Sequence, residues 1–442
     1  MAANERAEEA ARWLEGKTTE MEEALRPLVE QNSFTDNAEG GRIVGARLRE
    51  QTFAIPGLRC AVHPSQRYAD HLVFSSEGAA GASPIALVGH LDTVFPPGTF
   101  EGYRRDGALA RGPGVLDMKG GLVVVAFALR AVAETAGLDA IPALRLVIVA
   151  DEEVGSPEGY RVIQDAARGS VSALVFEAGR KADAIITRRK GTAGITAIAS
   201  GKAAHAGANH RDGVNAIWAL SRFIDKAQGW TDYDRGITVN CGKIGGGQGK
   251  NTVPDHAEAL FDARFVTNAD ADRLMAAFHE AAAEAGRDIA GASVRIEGGI
   301  ARRPLERTDA SAALLRAYGD CARASGLGDG EAALIGGGSD ASTTADIGIP
   351  SIDGLGPRGT GFHTKDELIE VDTLVPKAQA LARYLLAVLA VLVLTGCAHA
   401  RTPEEEPTPE IRVVPGAASR SLWIGHSLDG GAVDGGDAGD AG

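Results

Sequence analysis

Between residues 84 and 190, short apolar runs alternate with segments that have helical periodicity. The apolar runs are PIALVGH, ALRLVIVA and SALVFE, and the helical segment GGLVVVAFALRAVAETAG lies between the first two. This alternation is typical of an α/β domain in which helices flank a mainly parallel sheet. In such sheets ligands bind at the carboxyl ends of the strands. We therefore predict a mixed, mainly parallel sheet and expect the functional side chains where its strands end.

The pattern changes at about residue 191. Strand-like segments GITAIAS and ALFDARFV now alternate with the helical segments VNAIWALSRFID and ADRLMAAFHEAAAEAG. Two strands and two helices of this kind predict a small α+β insert over residues 191–302. After residue 303 the α/β pattern resumes. Residues 1–190 and 303–396 are therefore expected to form one domain in two parts.

The N-terminal segment is charged throughout, and its apolar residues recur mostly at spacings of three, four and seven. This spacing predicts an amphipathic helix that packs on the first sheet. The residues of its apolar face are Leu14, Met21, Leu25, Leu28 and Val29. Because the segment contains no apolar run of the kind that secretory signals carry, the sequence favours a cytoplasmic location.

An apolar run of 11 residues, Tyr384–Leu394, lies near the C-terminus. A helix that spans a bilayer needs about 20 apolar residues, so no membrane span is predicted. The run continues into Leu-Thr-Gly-Cys, ending at Cys397, and resembles a lipoprotein signal, but such signals act at an N-terminus. We therefore interpret the run as a closing core helix and not as a functional signal. Residues 397–442 are acidic and glycine-rich, which predicts a disordered tail.

Charge and glycine content narrow the choice of partners and structures. Subtracting 59 Asp and Glu from 45 Lys and Arg gives a net charge of -14. Nucleic acid is therefore not an expected partner, because its phosphates require an excess of positive charge. Glycine accounts for 57 of the 442 residues, about 13% against a usual value of about 7%. Such a chain is expected to contain many tight loops.

The three apolar runs end on side chains that can bind metals. PIALVGH ends at His90 with Asp92 close behind, ALRLVIVA is followed by Glu152 and Glu153, and SALVFE ends at Glu177. Adjacent carboxylates repel each other unless a cation or a proton neutralises them, so a divalent metal is the simplest explanation. Asp92 lies on the same face as His90 in an extended segment, where it can orient the imidazole.

Two further candidates complete a ligand set. Asp117 lies in the glycine-rich turn GVLDMKGG, and His363 lies in GFHTKDE. Three carboxylates and two imidazoles suit zinc, manganese or cobalt, and they exceed what one catalytic zinc binds. Two ions bridged by Asp117 are therefore expected; the candidate ligands are His90, Asp117, Glu153, Glu177 and His363. Glu152, which neither ion needs, can then take a proton from water and pass it to a leaving nitrogen.

Each of these features has a structural explanation when it stands alone. An isolated His-x-Asp pair is usually a core or surface pair, and a Glu-Glu step after a strand is usually a solvated turn or a helix N-cap. Their occurrence together in one chain, at strand ends and with a glycine turn between them, favours the metal site.

At these positions the chain resembles a known family. GHLDTVF, GVLDMKGG, DEEVGS, VFEAGR, GKAAHAGANHRDGVNA, GGGSDAS and GFHTKDE are similar to motifs of the dizinc amidohydrolases, which include glutamate carboxypeptidase, aminoacylase and succinyl-diaminopimelate desuccinylase. The resemblance extends from about residue 10 to residue 394. It implies a zinc-exopeptidase-like catalytic domain, with residues 191–302 as a lid and dimerisation domain, and hence a homodimer.

The resemblance also implies roles for the metal-site residues. Those implied for one zinc ion are His90, Asp117 and Glu177. Those implied for the other are Asp117, Glu153 and His363. Glu152 is implied as the general base and Asp92 as the partner of His90.

In the insert and beyond it, the resemblance implies contacts with substrate. His205 in AAHAG resembles the histidine that stabilises the tetrahedral oxyanion, often across a dimer, and a strand-end histidine in a tight turn is the alternative. Arg264 resembles a guanidinium that clamps a terminal carboxylate, and a strand-surface arginine is the alternative. The implied substrate-binding positions are Asn251, Arg264, Arg303, Gly337, Gly338 and Ser339.

Together these observations predict a metal-dependent hydrolase of the glutamate carboxypeptidase type, which cleaves an amide next to a free carboxylate. The expected substrates are small acyl amino acids or short peptides. The expected cofactor is zinc, two ions per subunit, with cobalt or manganese as alternatives. An N-acyl amino acid deacylase is the alternative among enzymes. A non-catalytic homologue that only binds a carboxylate ligand is the other alternative, and it predicts a damaged ligand set.

Overall fold

The computed structural model describes residues 3–396. Its α-helices are α1 (Ala3–Trp13), α2 (Thr18–Glu30), α3 (Ala38–Arg47), α4 (Gly120–Thr135), α5 (Gly159–Ala167), α6 (Ala216–Gln228), α7 (Asn268–Asp288), α8 (Asp309–Ala324), α9 (Ala341–Ala345) and α10 (Leu374–Gly396). Its strands are β1 (Arg59–His63), β2 (His71–Ser75), β3 (Ile85–His90), β4 (Arg104–Asp106), β5 (Leu109–Arg111), β6 (Leu144–Val149), β7 (Ser172–Val175), β8 (Gly191–Ser200), β9 (Ala204–His205), β10 (Thr238–Gly246), β11 (Thr252–Val253), β12 (His256–Phe265), β13 (Ser293–Arg302), β14 (Ser351–Ile352), β15 (Gly359–Thr360) and β16 (Leu368–Glu370).

A six-stranded sheet in the order β1-β2-β6-β3-β7-β14 forms the centre of the fold. Strands β6, β3, β7 and β14 pair in parallel, and β1 and β2 add an antiparallel edge. β3 is buried along its whole length because helices cover both faces of the sheet. Leu87 packs in the core that contains α4, and Val88 packs on the opposite side with Ile163 of α5. The predicted α/β fold with a mixed, mainly parallel sheet is confirmed.

The helices at the two ends of the described chain pack together beside this sheet. Helix α10 contacts α1, α4 and α8, and its Leu381 and Leu385 are fully buried. The C-terminal apolar run therefore begins as part of a core helix, as expected. Two helices, α1 and α2, replace the single N-terminal helix that we predicted. They are separated near Gly16, whose φ of 77° lies in the left-handed region that commonly ends a helix.

Residues 191–302 contain a second sheet, antiparallel throughout, in the order β10-β12-β8-β13. Buried and exposed side chains alternate along much of β12, and its Phe261 and Phe265 pack with α6 and α7 in a separate core. The sequence predicted two strands here, whereas the structure has two more long ones, β10 and β13. Both are edge strands with mostly exposed or half-buried side chains, so glycine and polar residues obscure the apolar alternation that identifies a strand.

A small sheet in the order β15-β16-β5-β4 brings two distant segments together. Its strand β16 contacts residues 115–119, which precede α4. The bounds of the catalytic, lid and tail segments stay a prediction. Cys397 and residues 397–442 lie outside the described residues. Within residues 3–396, no helix is long and apolar enough to cross a membrane.

Phe278 of α7 provides a test of the second core. It is fully buried, with ring centroids 5.0 to 6.1 Å from those of Phe223, Trp230 and Phe261. Phe278→Ala is expected to lower the free energy of unfolding by about 3–5 kcal/mol, because it removes apolar contacts and leaves a cavity. Denaturation followed by tryptophan fluorescence measures this change. The control is His279→Ala on the exposed side of the same helix, and an equal cost for both variants would contradict the assignment of this core.

Candidate metal centre

The candidate ligands meet at the carboxyl edge of the parallel strands. His90 is the last residue of β3, Glu152 and Glu153 follow β6, and Glu177 follows β7. Because these strands run in the same direction, their carboxyl ends lie side by side. Asp117 reaches this edge from the turn before α4. His363 reaches it from the segment between β15 and β16 and has a φ of 62°.

Buried contacts fix the turn that carries Asp117. The Glu367 carboxylate accepts hydrogen bonds from the backbone N–H groups of Gly114, Leu116 and Asp117 at 3.1, 2.9 and 3.0 Å. A Cβ atom on Gly121, at the start of α4, would lie 2.0 Å from the carbonyl oxygen of Phe176, so this close helix-to-strand packing requires glycine. The peptide bond between Asp117 and Met118 is cis. These contacts place the Asp117 side chain within the cluster.

The Asp117 carboxylate lies between two imidazoles. Its Oδ1 is 3.3 Å from His90 Nε2, and its Oδ2 is 3.2 Å from His363 Nε2. Glu177 Oε1 lies 3.6 Å from His90 Nε2, and Glu153 Oε2 lies 3.0 Å from His363 Nε2. The structure thus brings all five candidate ligands together as two groups that share Asp117.

Asp92 supports both groups. The Nδ1 atom of His90 lies 3.0 Å from the carbonyl oxygen of Asp92 and 3.4 Å from its carboxylate, so the nearer partner is the backbone. The Asp92 carboxylate accepts hydrogen bonds from the Thr35 hydroxyl at 2.8 Å and from the backbone N–H groups of Glu152 and Glu153 at 3.3 and 3.2 Å. Asp92 therefore positions the Glu-Glu step as well as His90.

The electrostatics of the cluster fit a cation. Burial raises the pKa of Glu153 to about 8, and burial beside Asp117 raises the pKa of Glu177 well above its usual value. Burial alone would lower the pKa of His90, but the carboxylates of Glu177, Asp117 and Asp92 raise it. Crowded carboxylates away from water are stabilised by a divalent ion, and nitrogen and oxygen donors are ligands that such ions accept. Donor atoms of His90, Asp117 and Glu153 lie within 4.8 Å of one another.

Glu152 lies beside the ligands but has a partner of its own. Its Oε1 is 3.1 Å from Nη1 of Arg302, and the same Nη1 is 2.9 Å from Asp340 Oδ1. The Ser156 hydroxyl also donates to Asp340 Oδ1, at 2.8 Å. Donor atoms of Glu152, His90 and Glu177 also lie within 4.8 Å of one another, so Glu152 faces the same space as the candidate ligands. Burial raises its pKa, and the Arg302 charge opposes this rise.

A cavity of about 310 Å³ opens onto the cluster. One wall is the loop of residues 335–338, which includes the predicted Gly337 and Gly338. Ser339 is buried and donates a hydrogen bond to Asp353 at 2.6 Å, so it supports this loop from behind. Phe362, Arg180 and Arg189 complete the lining, together with Asp117, Glu152, Glu153, Glu177, Ala178 and His363.

The structure does not bring the other predicted substrate residues to this cavity. His205 is exposed on β9, where its Nδ1 accepts hydrogen bonds from two backbone N–H groups of its own turn. Asn251 is exposed in the loop before β11, and Arg264 pairs with Asp262 at 2.8 Å. Arg303 pairs with Asp272 at 3.0 Å, and the preceding arginine, Arg302, enters the site instead. These four roles stay predictions.

Sequence reasoning missed three residues of this region: Arg180, Arg302 and Glu367. Glu367 lies in the GFHTKDE segment, but its burial and its contact with the turn of Asp117 are long-range features that this segment does not reveal. For the Arg302-Arg303 pair, the pairing of β13 with β8 shifts register between Ile300 and Arg302, so simple strand alternation does not tell which guanidinium faces the site. Arg180 follows Glu177 in the quoted VFEAGR segment, where nothing in the pattern separates it from a surface arginine.

Comparison with known proteins identifies a matching domain and several relatives. Residues 187–290 match the peptidase dimerisation domain. Carboxypeptidase G2 from Pseudomonas sp. (strain RS-16) is 27% identical over 372 residues, which cover 82% of this chain and 88% of that protein. A succinyl-diaminopimelate desuccinylase from Bordetella parapertussis is 28% identical over 324 residues, which cover 67% of this chain and 81% of that protein.

A solved structure shows the same fold. It is the YXEP protein of Bacillus subtilis, a dinuclear metal-binding peptidase of the M20 family, with a TM-score of 0.64, 15% identity and coverage of 84% of this chain and 98% of that one. This chain is thus similar to carboxypeptidase G2 and to a succinyl-diaminopimelate desuccinylase over about two thirds of its length or more, and it shares its fold with an M20 peptidase. The predicted resemblance and the assignment to hydrolytic metalloenzymes are thereby confirmed. The arrangement around Asp117 is its candidate metal site.

Glu367→Gln tests whether the buried Glu367 carboxylate positions Asp117. The amide replaces one acceptor oxygen by an NH2 group, which opposes a backbone N–H of the turn. We expect metal affinity to fall by about 10- to 100-fold, as when groups that orient metal ligands are lost. Calorimetric metal titration measures the change. The control is Asp366→Asn at the exposed neighbouring position, and unchanged affinity in Glu367→Gln would refute the positioning role.

Proposed function

We propose that this protein hydrolyses an amide bond next to a free carboxylate, as a zinc-dependent exopeptidase of the carboxypeptidase type. One observation supports this most strongly. The Asp117 carboxylate lies between His90 and His363, while Glu152 lies beside them in an ion pair with Arg302. This arrangement provides two groups of ligands and a separate base. The intact ligand set argues against a homologue that only binds a carboxylate.

The residues present fit two zinc ions. In this proposal His90, Asp117 and Glu177 hold one ion. Asp117, Glu153 and His363 hold the other. When bound, such ions polarise the carbonyl group of the substrate and lower the pKa of water. Cobalt and manganese accept the same nitrogen and oxygen donors and remain alternatives to zinc.

Glu152 is the proposed general base and acid. Its carboxylate removes a proton from the attacking water as the new carbon–oxygen bond forms, and it delivers that proton to the amide nitrogen as the carbon–nitrogen bond breaks. Burial raises its pKa, which favours proton transfer near neutral pH. The ion pair with Arg302 holds Oε1 in place. Asp92 positions the His90 ring through its carbonyl oxygen and the backbone of Glu152 through its carboxylate.

The relatives support two kinds of substrate. A carboxypeptidase relative favours a peptide or acyl amino acid with a free C-terminal carboxylate, and this is the primary proposal. A desuccinylase relative favours the alternative, an N-acyl amino acid deacylase. Both reactions break an amide next to a carboxylate, so the same base and ligands serve either.

We also propose that residues 191–302 form a lid through which the protein assembles as a homodimer. Most of this segment matches the peptidase dimerisation domain. His205 is exposed on it and lies outside the lining of the cavity in its own subunit. We assign His205 to the stabilisation of the oxyanion in the other subunit, with Asn251 and Arg264 as further lid contacts to substrate. Arg303, which follows the insert directly, is also proposed to bind substrate.

Glu152→Gln tests the division between base and ligands. We expect kcat to fall by about 100- to 10,000-fold because proton transfer is lost, while the metal content stays unchanged. Steady-state kinetics and elemental analysis of the same preparation measure both quantities. The control, Asp165→Asn, alters an exposed acid on α5 and should leave both unchanged. Loss of metal from Glu152→Gln would make Glu152 a ligand, and activity that survives exhaustive chelation would refute the metal mechanism.

A mixing experiment tests the role of His205 across the dimer. His205→Ala and Glu152→Gln are each expected to form inactive homodimers. In a mixed dimer, one centre combines an intact Glu152 with the partner's His205, so activity should reappear after subunit exchange. The measurements are light scattering for oligomeric state and hydrolysis before and after mixing. A monomeric protein, or a mixture as inactive as its components, would contradict the shared site.

A further inference from the structure

Arg180 lies at the metal centre without having been assigned any role. It follows Glu177, one of the candidate ligands, in the loop after β7, and it lines the same 310 Å³ cavity. Its guanidinium lies over the ring of Phe362, 5.2 Å from the ring centroid. Phe362 directly precedes the candidate ligand His363. This cation–π contact holds the guanidinium against one wall of the cavity.

The backbone around Arg180 is anchored. The N–H of Gly179 donates to the carbonyl oxygen of Pro357 at 3.0 Å, and a Cβ atom on Gly179 would lie 2.4 Å from the carbonyl oxygen of Gly356. The carbonyl oxygen of Arg180 itself accepts a hydrogen bond from Asp183 at 3.0 Å. The side chain therefore starts from a defined position at the edge of the cavity.

The two neighbouring arginines form ion pairs, whereas Arg180 forms none with the residues that the structure describes. Arg189 is bound to Asp353 at 2.6 Å and to the carbonyl oxygen of Gly337 at 3.2 Å. Arg302 is bound to Glu152 and Asp340. Within residues 3–396, no carboxylate lies within ion-pair distance of Arg180, and its buried Nε has no hydrogen-bond acceptor.

An unpaired guanidinium at this position is suited to bind a carboxylate. A buried donor without an acceptor costs free energy, and a guanidinium matches the two oxygens of a carboxylate. Burial lowers the pKa of Arg180, yet an arginine stays charged at neutral pH. The arginines expected from sequence to bind carboxylate, Arg264 and Arg303, are paired with Asp262 and Asp272.

We propose that Arg180 binds a carboxylate of the substrate in this cavity and thereby determines substrate specificity. The inference rests on the proposed amide hydrolysis. The carboxylate can come from either side of the scissile bond. It is the free carboxylate of the amino acid, or it belongs to a dicarboxylic acyl group; the chemistry recognised is the same.

Three matched compounds distinguish the two sources: an N-succinyl amino acid, its α-carboxamide, and the N-butyryl analogue of the same amino acid. The protein is the full chain reconstituted with zinc, as wild type, Arg180→Met and Arg180→Lys. Lys181→Met removes a charge from the exposed neighbouring residue and is the matched control. In the wild type we expect kcat/KM for the N-succinyl amino acid to be about 10- to 100-fold higher than for the analogue that lacks the recognised carboxylate. This ratio corresponds to the free energy of a hydrogen bond to a charged group.

Arg180→Met should abolish that preference, and Arg180→Lys should retain part of it because the charge remains without the planar fork. Lost discrimination against the carboxamide identifies the amino acid carboxylate. Lost discrimination against the butyryl compound identifies the acyl carboxylate. A uniform loss on all three compounds, with the ratios unchanged, would mean that Arg180 only supports the structure and would overturn the proposal. Thermal unfolding of each variant checks the fold.

Binding measurements distinguish a failure of this inference from a failure of the proposed hydrolysis. Calorimetry with the same three compounds, in the Glu152→Gln background with and without Arg180→Met, measures recognition without turnover. If the wild type hydrolyses none of the compounds but Arg180→Met still removes a preference in binding, the proposed function fails and the carboxylate subsite stands. If the Glu152→Gln protein shows no preference for either carboxylate, or if Arg180→Met leaves the preference unchanged, the subsite is refuted.

Discussion

The rest of the site depends on the crowding of carboxylates at one edge of a parallel sheet. Glu153, Glu177 and Asp117 lie close together with little access to water, and a cation or bound protons must neutralise part of their charge. The two imidazoles at Asp117 mark where such a cation belongs. The Glu367 carboxylate, which accepts three backbone N–H groups, keeps Asp117 there. The loops around the sheet edge can thus be understood as supports for this cluster.

Much of the fold, and the clustering of the candidate ligands, could be predicted because the relevant signals are local. Apolar runs that end at His90 and Glu177 identify buried strands and their carboxyl ends in a few residues of sequence. Edge strands β10 and β13 lack this signal, since exposure on their outer sides removes the alternation. The choice between Arg302 and Arg303 follows a register shift between Ile300 and Arg302, which the sequence pattern does not reveal. The support from Glu367 comes from a long-range contact that no spacing indicates.

Most of the residues predicted to contact substrate fall into two sets by location. Gly337 and Gly338 lie at the cavity, in the loop that follows α8. His205, Asn251 and Arg264 lie on the inserted segment and do not line it. Sequence motifs identify both sets equally well, because a motif carries no information about distance between domains or subunits. The separation explains why the candidate metal site could be described from one chain, whereas the role proposed for His205 requires a second subunit.

The end of strand β13 has a mechanical consequence. Arg302 is the last residue of that edge strand of the inserted sheet, and its guanidinium holds the carboxylate of Glu152. Through this ion pair, an edge strand of the inserted sheet reaches the proposed general base. The position of the Glu152 carboxylate therefore depends on where the insert lies as well as on the loop that carries Glu152.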